Sequence, residues 1–221
     1  MENNWTPQIE KHGFWYVDIP RTSSSSIKVE LGRQYGLPYG KSNVLEQEHR
    51  TRQGIEDHIP ALHMRNFLGH NLWDRLFTFT FVRNPWDRQV SMYFYRLRKG
   101  HFGKELTFRD YILRLKDAFT GSRSALFRHH AFYLACSDYI LDEKNHCLID
   151  FIGKFETRES DIQTISRKIG CPGLGALLIQ AAGRDKEHYS RYYDNETIKI
   201  VAQLYQKDIS MFAYKFEHPG I

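Results

Sequence analysis

Arg21-Thr22-Ser23-Ser24-Ser25-Ser26 sets one permanent cation beside five hydroxyls, directly after an apolar run that Pro20 ends. Short side chains leave backbone N–H groups uncovered, and each hydroxyl adds a donor. At the start of a helix those donors and the helix dipole form an anion site, to which Arg21 adds a fixed charge. A phosphate or sulfate ester suits such a cradle. The segment lacks the G-x-x-x-x-G-K-[ST] spacing, which excludes an ordinary nucleoside triphosphatase loop. Four serines also suit a plain helix cap, because Ser is a favoured N-cap residue. Taken alone, the segment leaves both readings open.

A second group follows the run Phe77–Val82, where Arg83-Asn84-Pro85-Trp86-Asp87-Arg88-Gln89-Val90-Ser91 carries a guanidinium and, one to two helical turns later, a hydroxyl. From a strand end and the helix behind it, Arg83 and Ser91 can converge on one phosphate at the carboxyl edge of a sheet. The alternative is a local ion pair of Arg83 with Asp87 or Asp74.

These groups need elements to hold them. Phe14–Ile19 is aromatic and β-branched and reads as a strand. Phe77–Val82, FTFTFV, alternates over six residues and is the clearest strand in the chain. Leu148–Phe155 is expected to be a third, buried strand. Ile27, Leu31 and Tyr35 recur at helical spacing, and Gly36 and Pro38 end that helix. Tyr39–Pro60 is polar and mixed in charge, a loop, and Ala61–Asn71 a short helix. Further helices are expected from Pro85 through Leu97, over Thr107–Phe119 and over His129–Leu141. Another carries Ile162, Ile165 and Ile169 and closes at Gly170. One last long helix starts at Asp194 and runs through Ile198, Val201, Tyr205, Ile209 and Phe212. Strands alternating with helices predict an α/β fold, three layers α/β/α around a central parallel sheet.

The 221 residues suit one domain over 1–221, and 41% hydrophobic with 14% aromatic content is that of a globular chain. A net charge of +5 favours an anionic partner. No recognition motif supports nucleic acid, and none is expected as a partner. No apolar run reaches membrane-spanning length, and the polar first residues do not make a signal peptide. Cys136, Cys147 and Cys171 fit no zinc spacing. They read as reduced thiols of a cytoplasmic protein, although Asn4-Trp5-Thr6 and Asn195-Glu196-Thr197 match the glycosylation triplet. No metal is expected. Oligomeric state is not written in the sequence.

Together the two segments resemble the sulfotransferases that use 3′-phosphoadenosine 5′-phosphosulfate (PAPS), in particular the carbohydrate-type branch with its heparan sulfate 2-O-sulfotransferase-like and bacterial members. Ile19-Pro20-Arg21-Thr22-Ser23-Ser24-Ser25-Ser26-Ile27 is similar to that family's I-P-K-T-[GA]-[GS]-[TS]-S-[IF] loop for the 5′-phosphosulfate. Val82 through Ser91 is similar to its V-R-[ND]-P-x-x-R-x-x-S, whose Arg and Ser hold the 3′-phosphate. Asp150–Glu156 with Asp161, and His188–Tyr193 with Asp208 and Phe212-Ala213-Tyr214, resemble its later regions. The likeness runs from Phe14 to Phe216. One departure stands out: Arg21 occupies the place of the family's lysine.

The resemblance implies a P-loop-like nucleotide-binding sulfotransferase fold and transfer of a sulfuryl group from PAPS to a hydroxyl of a carbohydrate, glycolipid or other small acceptor. Arg21 and Thr22 through Ser26 would hold the phosphosulfate, and Arg83 and Ser91 the 3′-phosphate. Arg184 and Lys186, with Arg191, form a basic cluster that would close over the nucleotide. A hydroxyl acceptor calls for a base, and His suits neutral pH. Among eleven histidines, His63 lies upstream of the second strand, where the branch carries its proposed catalytic His. Glu48, His49 and His58 are reserves, and His58, His129 and His130 are candidates for the acceptor cleft. The alternatives are a nucleotide-binding homologue impaired in catalysis, prompted by Arg21, and a phosphoryl-transferring kinase. The missing Gly-Lys-[ST] triplet and the lack of an acidic Mg²⁺ motif speak against the kinase.

Overall fold

The computed structural model describes residues 6–37, 58–103, 105–120, 133–174 and 187–218. In chain order these hold α1 (Thr6–His12), β1 (Phe14–Val17), α2 (Ser24–Tyr35), α3 (Ala61–Leu68), α4 (His70–Trp73), β2 (Phe77–Val82) and α5 (Pro85–Arg98). There follow α6 (Phe108–Phe119), α7 (Cys136–Ile140), β3 (Phe151–Lys154), α8 (Arg158–Ile169), α9 (Asn195–Leu204) and α10 (Gln206–Phe212). Short 3-10 turns occupy Phe155–Thr157 and Tyr189–Tyr192. Two compact units form, one from Met1–Val82 with Asp138–Gln180, the other from Arg83–Ser137 with Ala181–Ile221.

The first unit is built on a parallel sheet in the order β1-β2-β3, which agrees with the expected α/β class. Strand β2 is central, and Phe79, Phe81 and Val82 are fully buried. Its threonines are buried too, which a parallel sheet covered on both faces requires. Their hydroxyls are satisfied there: Thr80 Oγ1 donates to Val17 O at 2.6 Å, and Thr78 Oγ1 to Asp150 Oδ2 at 2.9 Å. Ile27 and Leu31 of α2, and Ile162 and Ile165 of α8, are the buried positions at helical spacing.

The third strand is shorter and less buried than expected, four residues of which only Gly153 is buried. Asp150 explains its start: the carboxylate accepts from Thr78 N at 2.8 Å, so a side chain takes the place of a ladder carbonyl. Phe155 then opens a 3-10 turn. Asp161 secures that corner, accepting from Lys154 N at 2.9 Å and Thr157 Oγ1 at 2.7 Å. The expected helix over Ala61–Asn71 breaks at Gly69, whose φ of +81° is open to glycine at little cost.

The second unit has an aromatic-rich core that includes Trp86, Val90, Tyr93, Tyr111, Ile112, Val201 and Tyr205. Its buried hydroxyls form a chain. Tyr111 donates to Gln89 Oε1 at 2.8 Å, Gln89 Nε2 to Tyr205 Oη at 2.9 Å, and Tyr205 to Tyr133 O at 2.9 Å. The single long C-terminal helix that the spacing predicts is two helices. Tyr205 leaves helical geometry between them (φ −114°, ψ 27°) while its hydroxyl stays in that chain. Asp194 is the N-cap as expected, with Thr197 completing a reciprocal cap. Of the helix expected over His129–Leu141, the described part is Cys136–Ile140, its first N–H groups held by Asp208 at 2.7 and 2.8 Å. No helix among the described residues is long and apolar enough to cross a membrane.

Candidate functional site

Chain geometry shapes the loop between β1 and α2. Arg21 (φ +67°) and Ser23 (φ +86°, ψ 12°) both take left-handed backbone, unusual for residues with a Cβ. Left-handed residues in such a turn aim successive N–H groups into one concavity, the geometry of an anion nest. Thr22 is buried and its hydroxyl donates to Ile19 O at 2.8 Å, which closes the turn. Thr22 therefore holds the shape of the loop, with its proton committed.

Ser23 occupies the N-cap position of the 12-residue α2, yet its side chain makes no capping bond and the first turn holds no acidic residue. The Ser23 hydroxyl is buried without a hydrogen-bond partner among the described residues. An orphaned buried hydroxyl is costly unless something external meets it. With the N–H groups of the first turn beside it, an anionic oxygen fits. Ser24 and Ser26 are buried and Ser25 is exposed, while Arg21 is half-buried.

Beneath this loop, at the carboxyl end of β1, stands an Asp–His–Lys cluster. Asp18 is 7% exposed. Its Oδ2 meets Lys28 Nζ at 2.6 Å and His58 Nδ1 at 2.8 Å. His58 Nδ1 also lies 3.2 Å from the Asp18 carbonyl. Burial acts to raise the Asp18 pKa, but the charges and hydrogen bonds of His58 and Lys28 outweigh it and hold the carboxyl well below the usual carboxylate range. The Lys28 ammonium offsets a negative charge that would otherwise repel an anion in the loop. His58 is itself in left-handed backbone (φ +66°), at a cost of about 1 kcal/mol or more.

His63, the histidine expected to be the base, is exposed on α3, five residues beyond His58. His129, His130, Arg184 and Lys186 lie outside the described residues, as do Glu48 and His49. No group of three or more His, Cys, Asp or Glu able to hold a metal occurs among the described residues.

In the second unit, Arg83 and Ser91 are both buried. Arg83 takes the local pair that its spacing allows: Nε and Nη2 each reach Asp87 Oδ2 at 2.7 Å. The residues between them hold the segment in place. Asn84 caps α5 through Trp86 N and donates to Lys215 O at 3.0 Å. Arg88, 1% exposed, donates through Nη1 to Leu134 O at 2.9 Å. Arg191 is exposed and pairs with Glu187 at 3.1 Å.

Sequence reasoning missed Asp18 and Lys28. Lys28 lies one turn into α2, a spacing that signals an ion pair with the residue before the loop only once the turn is known. Forty positions separate Asp18 from His58, and no periodicity links them.

An Archaeoglobus fulgidus protein described as uncharacterized is 33% identical over 132 residues, 58% of this chain and 95% of that protein. Carbohydrate sulfotransferase 14 of Danio rerio is 26% identical over 181 residues, 74% of this chain. Carbohydrate sulfotransferase 9 of Homo sapiens is 27% identical over 184 residues, again 74% of this chain. The matches cover 47% and 40% of those two proteins, so the chain spans less than half their length. No solved structure matches. The model of the Sulfotransferase family matches residues 8–215 in one run, through both the Arg21–Ser26 and the Arg83–Ser91 segments, and the chain belongs to that family.

Proposed function

We propose that the chain transfers a sulfuryl group from PAPS to a hydroxyl of a carbohydrate acceptor by in-line displacement. The observation that carries this reading is the buried Ser23 hydroxyl, without a partner among the described residues, at the N-terminus of a helix whose first turn holds no acid. A phosphosulfate oxygen is the acceptor that would satisfy it. Family membership supports sulfuryl transfer, and the printed names of the two carbohydrate sulfotransferases support a sugar hydroxyl.

In this reading Arg21, Ser23 and the first N–H groups of α2 neutralise charge on the 5′-phosphate as the acceptor oxygen bonds to sulfur and the sulfur–bridging oxygen bond breaks. Arg83 and Ser91 are the proposed holders of the 3′-phosphate. The acceptor proton goes to His58, which has a carboxylate partner at 2.8 Å. His63 is exposed on α3 and is the weaker candidate. The second reading, a nucleotide-binding homologue without turnover, is favoured by Arg21, which stands in left-handed backbone where the family's lysine is expected.

The test is transfer of labelled sulfate from PAPS to a panel of carbohydrates, with His58→Ala, His63→Ala and Arg21→Lys alongside. Transfer that His58→Ala abolishes and His63→Ala leaves intact supports the proposal. Tight binding of 3′-phosphoadenosine 5′-phosphate with no transfer to any acceptor supports the second reading.

A further inference from the structure

We propose that Asp18 is a positioning residue that fixes the tautomer and orientation of His58, and that Lys28 anchors it in that role. The proposal rests on the reading of His58 as the base. Three observations lead to it.

First, His58 Nδ1 faces two acceptors of the same residue, the carboxylate Oδ2 at 2.8 Å and the main-chain carbonyl at 3.2 Å. A lone pair on Nδ1 would point at two other lone pairs, so Nδ1 carries the hydrogen. Nε2 is then the ring atom with a lone pair when the imidazole is neutral, and the atom able to take the proton of an acceptor hydroxyl.

Second, the carboxylate is not arranged as structural glue. Lys28 and His58 share Oδ2, whereas Oδ1 is buried with no hydrogen-bond partner among the described residues. A buried acid kept only for stability gains by satisfying both oxygens. Here one oxygen is used twice, and the group is aimed at the histidine.

Third, the parts are mounted on rigid supports. Asp18 is the first residue after β1, and Lys28 is in the second turn of α2. His58 enters from the segment before α3 in left-handed backbone, a conformation that its contacts with Asp18 must hold. The charged groups acting on Asp18 are therefore His58 from that segment and Lys28 from α2. The Lys28 ammonium holds the carboxylate ionised and fixed while the ring hydrogen-bonds to it.

Nitrogen-15 NMR of the His58 ring, assigned by the loss of its signals in His58→Gln, tests this in the wild-type chain without recourse to activity. The expected result is the Nδ1–H tautomer at high pH, and the Nε2–H tautomer overturns the proposal. In Asp18→Asn the tautomer should shift towards Nε2–H. There kcat should fall on the order of a hundredfold with the KM for PAPS changed by less than about twofold. A loss confined to KM, or no loss, overturns it. If Asp18→Asn does not fold, the wild-type spectrum still decides. Failure of the base reading has a separate signature, full turnover in His58→Ala, whichever tautomer the ring adopts.

Discussion

Arg83 grips Asp87 through two nitrogens, Nε and Nη2, each 2.7 Å from the same carboxylate oxygen, on a side chain that is 5% exposed. The arginine proposed to hold the 3′-phosphate is thus oriented from the first turn of the helix that follows it. A guanidinium carries five N–H donors, so a carboxylate on one edge can steer the fork towards a second anion. Taking away the carboxylate charge weakens a buried ion pair that both nitrogens share. Asp87→Asn is expected to cost about 3 kcal/mol of folding stability, read by urea denaturation. It should also weaken 3′-phosphoadenosine 5′-phosphate binding, although Asp87 carries charge of the same sign as the ligand. Tighter binding in Asp87→Asn would show that the acid competes with the phosphate and does not orient the arginine.

Ser23 separates a binding role from a structural one. Its hydroxyl is buried without a partner among the described residues, so Ser23→Ala removes a desolvated polar group and loses no hydrogen bond within the chain. Stability should stay level or rise by up to about 1 kcal/mol. Affinity for 3′-phosphoadenosine 5′-phosphate should fall by about tenfold, the worth of one hydrogen bond to a charged group. Thermal melting and calorimetric titration on the same sample measure both. A stability loss with unchanged affinity would make the residue an ordinary part of the turn.

Local signals explain what could be read before the structure. FTFTFV has the period of a strand, and the helix starts read at Thr107 and Asp194 have their capping partners, Asp110 and Thr197, close by in sequence. The pairing of Arg83 with Asp87 is an i, i+4 contact and was visible as one of two readings. The features that escaped depend on partners distant in sequence. The break at Tyr205 goes with hydrogen bonds to Gln89 and Tyr133, 116 and 72 positions away. The shortness of β3 comes from Asp150 bonding to Thr78. The proposed preference for His58 over His63 rests on Asp18, which only the fold brings to His58.

Gly153 shows how tightly the edge strand fits its neighbour. A Cβ built there would stand 2.6 Å from a ring carbon of Phe81, the fully buried aromatic opposite it in the register. Phe81 has no room to withdraw, because it lies in the core of the central strand. Gly153→Ala should therefore destabilise the chain by about 1–3 kcal/mol, the range of overpacking a filled core. The same substitution at Gly173 meets Glu30 Oε1 at 2.7 Å, the far end of a flexible side chain, and should cost less. Urea denaturation of the two variants gives the comparison, and equal costs would mean that the ring yields as readily as a glutamate.

The acid limb of stability reports on Asp18 directly. Burial alone would raise its pKa, yet His58 and Lys28 together hold it well below the usual carboxylate range. The unfolded carboxyl titrates near about 3.9, above its folded counterpart. As pH falls, the unfolded state therefore binds this proton first. The stabilisation is complete above the unfolded value and drains away as pH drops through it towards the folded one. Asp18→Asn lacks the titrating group altogether. The gap in unfolding free energy between wild type and Asp18→Asn should be widest above about pH 5 and narrow steadily below about pH 4. Urea denaturation at half-unit pH steps measures it. A gap that stayed constant to the acid end, or widened there, would mean that the carboxylate is not held in its charged form by Lys28 and His58, and the positioning of the histidine would lose its physical basis.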